Sequence, residues 1–218
     1  MDFVGYLTSA GIDESMVFLL LAIPYISFII GFFRQFLGIK TFGMYEPLVI
    51  AFALYAISPS FVTGLKYGIP ILIVAWIASE VMRRLLNKRR LHFISKVSFK
   101  LSIASLLMLG LLALAAFLNK AGFFGINPLA IVIILTLVES ISLFQVKRGD
   151  PYTNLVTIET LIVSLISYFV LTSSTIRDFV LQNYYFVIVP IVANFIVGRW
   201  RGLRLSEFIR FRNILKND

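Results

Sequence analysis

Apolar residues occur in seven runs along the chain, separated by short segments that contain charged residues, glycine or proline. Most of these runs approach the roughly 20 residues that an α-helix needs to cross a hydrocarbon core of about 30 Å. The pattern predicts an all-α, polytopic membrane protein with seven transmembrane helices. The predicted spans cover residues 16–33, 47–60, 67–82, 101–118, 126–144, 154–171 and 180–197.

The second run, 47–60, is the shortest and leaves two interpretations open. Glu46 and Pro47 precede its apolar part, and proline suits the first turn of a helix. The run is either a full span, extended back to Met44 and forward to Val62, or a re-entrant segment. The distribution of basic residues favours the full span.

The basic residues sort to one side if the N-terminus is outside and the runs alternate across the bilayer. Of the 20 Lys and Arg residues, all but Lys66, Lys120 and Arg177 then lie on the cytoplasmic side. Short loops show this bias because cations are costly to translocate. Without the second run, the basic loop 83–100 would lie opposite Arg34 and Lys40. The sequence therefore predicts an N-out, C-in topology in the cytoplasmic (inner) membrane.

The composition is also typical of a membrane protein, because 59% of the residues are hydrophobic and 14% are charged. A soluble chain of this length could not solvate so much apolar surface. We expect one domain, 1–218, whose segment 199–218 forms a cytoplasmic amphipathic tail. The start of the chain has no basic region of a cleaved signal peptide. The net charge of +9 is interpreted as a topological signal, so no nucleic-acid partner is expected.

Four carboxylates lie within the spans or at their inner ends: Glu46, Glu80, Glu139 and Glu159. Ionisable groups at such positions usually face a partner or a water-filled cavity. One interpretation is a layer of ion pairs that ties helix ends together. The other is a polar vestibule, open to the cytoplasm, that takes up an ion or a charged solute. Glu139 and Glu159 are the deepest and are the stronger functional candidates.

Cations of the inner face are the other candidates for a substrate or ion pathway, because they would attract a polyanion. They are Lys40, Arg83, Arg84, Arg148, Arg199 and Arg201. Lys40 also lies between Gly38 and Gly43, just before a helix. Backbone N–H groups there could bind an anion, although an ordinary inner loop is the alternative.

Motifs for catalysis or cofactor binding are absent from the sequence. There is no cysteine and only one histidine, His92, so we expect no metal site. The HExxH, GxSxG and P-loop patterns do not occur. The expected protein is therefore not an enzyme and has no cofactor, and an intramembrane enzyme is kept only as a third hypothesis.

Several stretches resemble a bacterial seven-transmembrane module that is usually fused to an inactive transglutaminase-like domain. The order and spacing agree over about residues 16–212, and the C-terminal stretch is the most specific. The stretches are LGIKTFG at 37–43, EPLVIA at 46–51, VESIS at 138–142, GRWRGLRLSEF at 198–208 and RFR at 210–212. The helical pattern distantly resembles the membrane subunit of poly-γ-glutamate capsule synthesis.

The resemblance implies a helper in making or exporting an acidic peptide or polymer, with an ATP-grasp ligase as its partner. The lipid bilayer is a further partner, and it stays open whether a separate transglutaminase-like protein binds the chain and whether the chain forms a homo-oligomer. The resemblance assigns no catalytic residue. A non-transporting scaffold or sensor, which recruits partners through its basic face, is the rival hypothesis. The substrate, the direction of transport, the coupling ion and the oligomeric state stay open.

Overall fold

The computed structural model describes residues 3–86 and 92–199, and every regular element within them is helical. The predicted all-α class is confirmed for this part of the chain. The α-helices are α1 (Phe3–Ser9), α2 (Glu14–Phe32), α3 (Tyr45–Ile57), α4 (Phe61–Leu86), α5 (Phe93–Phe117), α6 (Pro128–Arg148), α7 (Asp150–Thr172), α8 (Ser174–Gln182) and α9 (Ile188–Arg199). A π-helical turn, Phe33–Leu37, extends α2, and short 3₁₀ turns lie at Ala121–Phe123 and Tyr184–Val187.

Five helical segments of the described chain are long and apolar enough to cross a membrane. They are Glu14–Leu37, Phe61–Leu85, Phe93–Phe117, Pro128–Arg148 and Pro151–Thr172. A sixth candidate is the pair Ser174–Gln182 and Tyr184–Arg199, if the two helices count as one broken span. Several apolar helices of this length are typical of a multi-pass membrane protein.

Helix α3 corresponds to the second apolar run but ends at Ile57, before the predicted boundary at residue 60. Its 13 residues give a length of about 20 Å, which is shorter than a hydrocarbon core of about 30 Å. The backbone N–H of Ser60 donates to Ser58 Oγ at 3.1 Å, and α4 begins at Phe61. The polar turn therefore stops α3, where the hydropathy pattern placed a longer span.

The seventh apolar run is divided, where the sequence pattern predicted one continuous segment from 180 to 197. Helices α8 and α9 meet at a bend of 102°. Asn183 ends α8: its φ of −121° and ψ of 53° are not helical, and its side-chain amide donates to Phe179 O at 3.2 Å. The hydroxyl of Tyr185 donates to Asn183 Oδ1 at 2.9 Å. Asparagine favours such local side-chain bonds over continued helix. The break therefore falls at a polar position within the run.

The helices group into two compact units, and α3 and α7 each contribute to both. The first unit contains the described residues up to 48 and from 159 onward. Its α2 packs mainly on α9, and Phe18, Ile26 and Ile30 of α2 are buried. A Cβ atom at Gly31 would lie 3.2 Å from Asn194 Oδ1. Glycine at this position therefore allows α9 to approach α2 closely.

The second unit, Val49–Ile158, is built around α4, α5 and α6, which pack on one another. Their facing sides consist mainly of small or branched apolar residues. These include Ile71, Ala75 and Ala78 of α4, Ala104 and Met108 of α5, and Ile134, Leu137 and Ile141 of α6. Small residues let membrane helices come close, because dispersion contacts rather than water exclusion hold such helices together.

Candidate functional site

The glycine-containing segment after α2 has a defined backbone structure. The π-helical turn ends at Gly38, whose φ of 78° and ψ of 21° are left-handed. The N–H groups of Gly38 and Ile39 both point back to Phe33 O, and the Ile39 bond measures 3.1 Å. Because a side chain is strained at such a φ, glycine is the residue suited to this turn. The turn directs the chain toward residues 40–43.

Residues 40 and 42 are attached to α7 through their backbone N–H groups. The Lys40 N–H donates to Glu159 Oε2 at 2.6 Å, and the Phe42 N–H donates to Thr160 Oγ1 at 3.1 Å. The Thr41 hydroxyl donates to Gly43 O at 2.6 Å. Thr41 and Phe42 are buried, whereas the Lys40 side chain is exposed. Glu159 and Thr160 therefore hold the segment from adjacent positions on one helix.

Glu46 lies against the other end of the same segment. A Cβ atom at Gly43 would be 2.7 Å from Glu46 Oε2, so the carboxylate of Glu46 lies over the backbone of Gly43. Glu46 is in the first turn of α3 and is partly buried. The structure thus brings three of the predicted residues, Lys40, Glu46 and Glu159, together around residues 38–43. We name this arrangement the loop 38–43 site.

Glu80 is engaged by the two arginines that follow it on α4. Arg83 donates to both carboxylate oxygens, and Arg84 Nε donates to Oε1 at 3.2 Å. Spacings of three and four residues place these side chains on one helix face. The Arg84 side chain is 74% exposed, compared with 19% for Arg83. Glu80 is therefore paired within α4 itself, whereas the first interpretation of the carboxylates predicted ion pairs that tie different helix ends together.

Glu139, the other carboxylate that was predicted to lie deep, is on the exposed side of α6. Arg148 is exposed in the last turn of the same helix, and its guanidinium lies 5.9 Å from the ring centroid of Tyr152. Glu139 and Glu159 thus differ in surroundings, since only Glu159 accepts a backbone N–H in the described part of the chain. Only one of the two favoured carboxylates contributes to the loop 38–43 site.

Basic residues occupy the last turns of α4, α6 and α9. Arg83 and Arg84 end α4, Lys147 and Arg148 end α6, and Arg199 ends α9. Cations at these positions favour the negative end of each helix dipole. The Arg199 guanidinium also lies 5.0 Å from the ring centroid of Phe195. Arg201 and most of the predicted tail 199–218 lie outside the described residues.

Lys100 is a buried cation that the sequence pattern did not single out, because it was counted with the inner loop 83–100. Helix α5 begins at Phe93 and therefore includes Lys100. The Lys100 ammonium, which is 6% exposed, donates to Ser142 Oγ at 3.0 Å and to Gln145 Oε1 at 2.9 Å. The Ser142 hydroxyl in turn donates to Val138 O at 2.6 Å. These bonds connect α5 to the VESIS stretch of α6.

A row of small hydroxyl residues runs along α7 and was also missed. Its members are fully or almost fully buried and are Thr153, Thr157, Thr160, Ser164 and Ser167. The alternating intervals of four and three residues are a helical repeat that the sequence does contain. The hydroxyls of Thr153, Thr157 and Ser164 donate to carbonyls four residues earlier. Thr157 and Ser164 therefore bond within α7 and Thr153 bonds to Gly149, directly before it, whereas the buried Ser167 Oγ has no hydrogen-bond partner in the described chain.

Comparison with known proteins supports the membrane assignment. The family model that matches the chain covers residues 6–215 and describes seven transmembrane helices that are usually fused to an inactive transglutaminase. No curated protein and no solved structure matches the chain. The matched range includes every segment on which the resemblance was based, from the glycine segment to the arginine-rich end. The chain therefore belongs to this family of seven-transmembrane modules usually fused to an inactive transglutaminase.

Proposed function

We propose that the chain is a non-enzymatic membrane component of a peptide-ligase system. In this proposal it accepts an anionic peptide from a cytoplasmic ATP-grasp ligase and helps to pass the peptide across the inner membrane. The chain spans the bilayer seven times, with its N-terminus outside and its C-terminus in the cytoplasm. The bent pair of α8 and α9 then forms the seventh span, and α3 forms the second.

The observation that carries the proposal is the position of the exposed cations at helix ends. With the N-terminus outside, α4, α6 and α9 all run toward the cytoplasm, and each has arginine in its last turn. Lys40, in the first inner loop of this topology, is exposed as well. Cations on the cytoplasmic side of the membrane attract a polyanion and raise its local concentration. In this topology Arg201, which lies outside the described residues, is on the same side of the membrane.

The proposal is tested by comparing two double variants with the same change in charge. One is Arg84→Gln with Arg148→Gln on the inner side, and its control is Lys66→Gln with Lys120→Gln on the outer side. We expect the inner pair to reduce both co-purification with the neighbouring ligase and peptide accumulation in inverted vesicles. The outer pair should leave both unchanged. Equal transport by the two double variants would contradict the proposed route.

A non-transporting scaffold is the second candidate, and the environments of two carboxylates favour it. Glu80 is held by Arg83 and Arg84, and Glu159 holds the Lys40 amide. Groups engaged in this way stabilise helix ends and loops, whereas an ion pathway needs groups that face water. A scaffold would co-purify with the ligase through the same cations but would move no peptide. Ligase binding without vesicle accumulation by the wild-type chain would therefore favour the scaffold.

A further inference from the structure

The loop 38–43 site has the features of a carboxylate receptor. A left-handed glycine at position 38 turns the backbone, and the N–H of Lys40 then points at an oxygen of Glu159, 2.6 Å away. Hydrogen bonds from an N–H to an ionised carboxylate are shorter and about twice as strong as neutral ones. Among the bonds described for this segment, the Lys40 N–H is the one directed at a carboxylate, and a backbone N–H that follows a glycine turn is a recurrent way to bind an anion.

The anion at this receptor belongs to the chain itself. Glu159 contributes one carboxylate oxygen to the Lys40 amide, and Glu46 places a second carboxylate over Gly43. Glu159 is partly buried on α7, whereas the Lys40 side chain is exposed at the edge of the site. The receptor can therefore be approached at Lys40, while its amide is held by an internal group.

We infer that residues 38–43 form a carboxylate-binding site that Glu159 occupies at rest, and that a carboxylate of an incoming anionic peptide displaces Glu159 from the Lys40 amide. The inference rests on the proposed function for the identity of the ligand as a peptide carboxylate. Glu159 acts as an internal competitor, so it lowers the affinity of the site and sets the concentration at which a peptide enters. Thr160 keeps the segment in place during the exchange, through its bond to the Phe42 N–H.

Removal of the competitor is the direct test. The full chain in lipid nanodiscs is titrated with a fluorescent γ-linked glutamate pentamer, and its dissociation constant is measured for each variant. Glu159→Ala should bind the pentamer about tenfold more tightly, as expected for a site that is open about a tenth of the time in the wild type. Glu159→Gln, which keeps an oxygen acceptor but loses the charge, should give a smaller gain.

Three control variants separate this effect from a general change in charge or packing. Glu139→Ala removes the same charge from an exposed position on α6 and should not alter the affinity. Thr160→Val loosens the segment without removing a carboxylate and should not increase binding. Lys40→Ala, added to Glu159→Ala, should cancel the gain because the exposed ammonium attracts the ligand.

Each outcome decides either the site or the proposed function. Equal affinities of the wild type and both Glu159 variants would overturn the site, and so would an equal gain in Glu139→Ala. If Glu159→Ala does not yield a monodisperse protein, the affinity of Glu159→Gln decides. A gain in pentamer binding without peptide accumulation in vesicles would support the site and contradict transport. Transport by the wild type with no gain in the Glu159 variants would support transport and contradict the site.

Discussion

Glu80 and Glu159 are both carboxylates near the predicted inner face, but they have different kinds of partner. Glu80 binds Arg83 and Arg84 of its own helix turn, whereas Glu159 binds the backbone N–H of Lys40, 119 residues away in sequence. The first arrangement fixes side chains within one helix. The second fixes the course of the loop between α2 and α3. Two residues of the same type thus differ in which part of the fold depends on them.

The largest expected effect is a loss of stability on removal of Glu159, for which Glu139 is the reference carboxylate. Glu159→Ala leaves the Lys40 amide without its acceptor, and loss of a hydrogen bond to a charged group costs about 1.5–3 kcal/mol. Unfolding monitored in detergent should show a clear decrease in the midpoint temperature. Glu139→Ala, with no such bond in the described chain, should stay within about 0.5 kcal/mol of the wild type. Similar losses in the two variants would remove the distinction made for Glu159.

Lys100, like Glu159, has hydrogen-bond partners that are distant in sequence, but it is a cation. Lys100→Met leaves Ser142 and Gln145 without their donor while keeping most of the side-chain volume. Unsatisfied buried polar groups cost about 1–3 kcal/mol, so the variant should unfold at a lower temperature. Lys96→Met, which changes a partly exposed lysine on the same helix, is the control. A Lys100 variant as stable as the control would show that the bonds between α5 and α6 contribute little.

Thr160→Val should have a smaller effect than Glu159→Ala, because its bond to the Phe42 N–H is neutral. A typical hydrogen bond contributes about 1 kcal/mol, and valine keeps the branched shape of threonine. The same unfolding measurement shows which of the two α7 contacts with the loop, that of Glu159 or that of Thr160, contributes more to stability. Thr157→Val, whose hydroxyl bonds only its own helix at Thr153 O in the described contacts, serves as the reference. A larger loss for Thr160→Val than for Glu159→Ala would reverse the proposed order.

The smallest change in stability is expected for the ion pairs of Glu80, which lie within one helix. Arg84→Gln removes one partner of Glu80, but the side chain is 74% exposed and Arg83 keeps both carboxylate oxygens. Exposed ion pairs on a helix contribute about 0.3–0.5 kcal/mol. The midpoint of unfolding should therefore hardly change, and added salt should remove the difference. A loss as large as that of Glu159→Ala would mean that the α4 pairs also hold tertiary structure.

The sequence predicted what depends on neighbouring residues and missed what depends on distant ones. Hydropathy located the apolar runs that became helices. The spacing of Glu80, Arg83 and Arg84 contains their pairing, but only a general layer of ion pairs was predicted. Averaging over apolar residues could not detect the bend at Asn183, because the backbone leaves the helical conformation at a single position. The Glu159–Lys40 bond joins a helix to a loop amide, and no local pattern specifies such a partner. Lys100 was assigned to a loop because its charge alone was considered.

Hydrogen exchange of the Lys40 amide reports whether Glu159 occupies the loop 38–43 site at rest. The full chain in nanodiscs is compared as wild type and as Glu159→Ala, each with and without the γ-linked glutamate pentamer. We expect a protected Lys40 amide in the wild type, fast exchange in Glu159→Ala, and restored protection when the pentamer is added to that variant. Exchange that is equally fast in both proteins and insensitive to the pentamer would contradict the occupancy by Glu159.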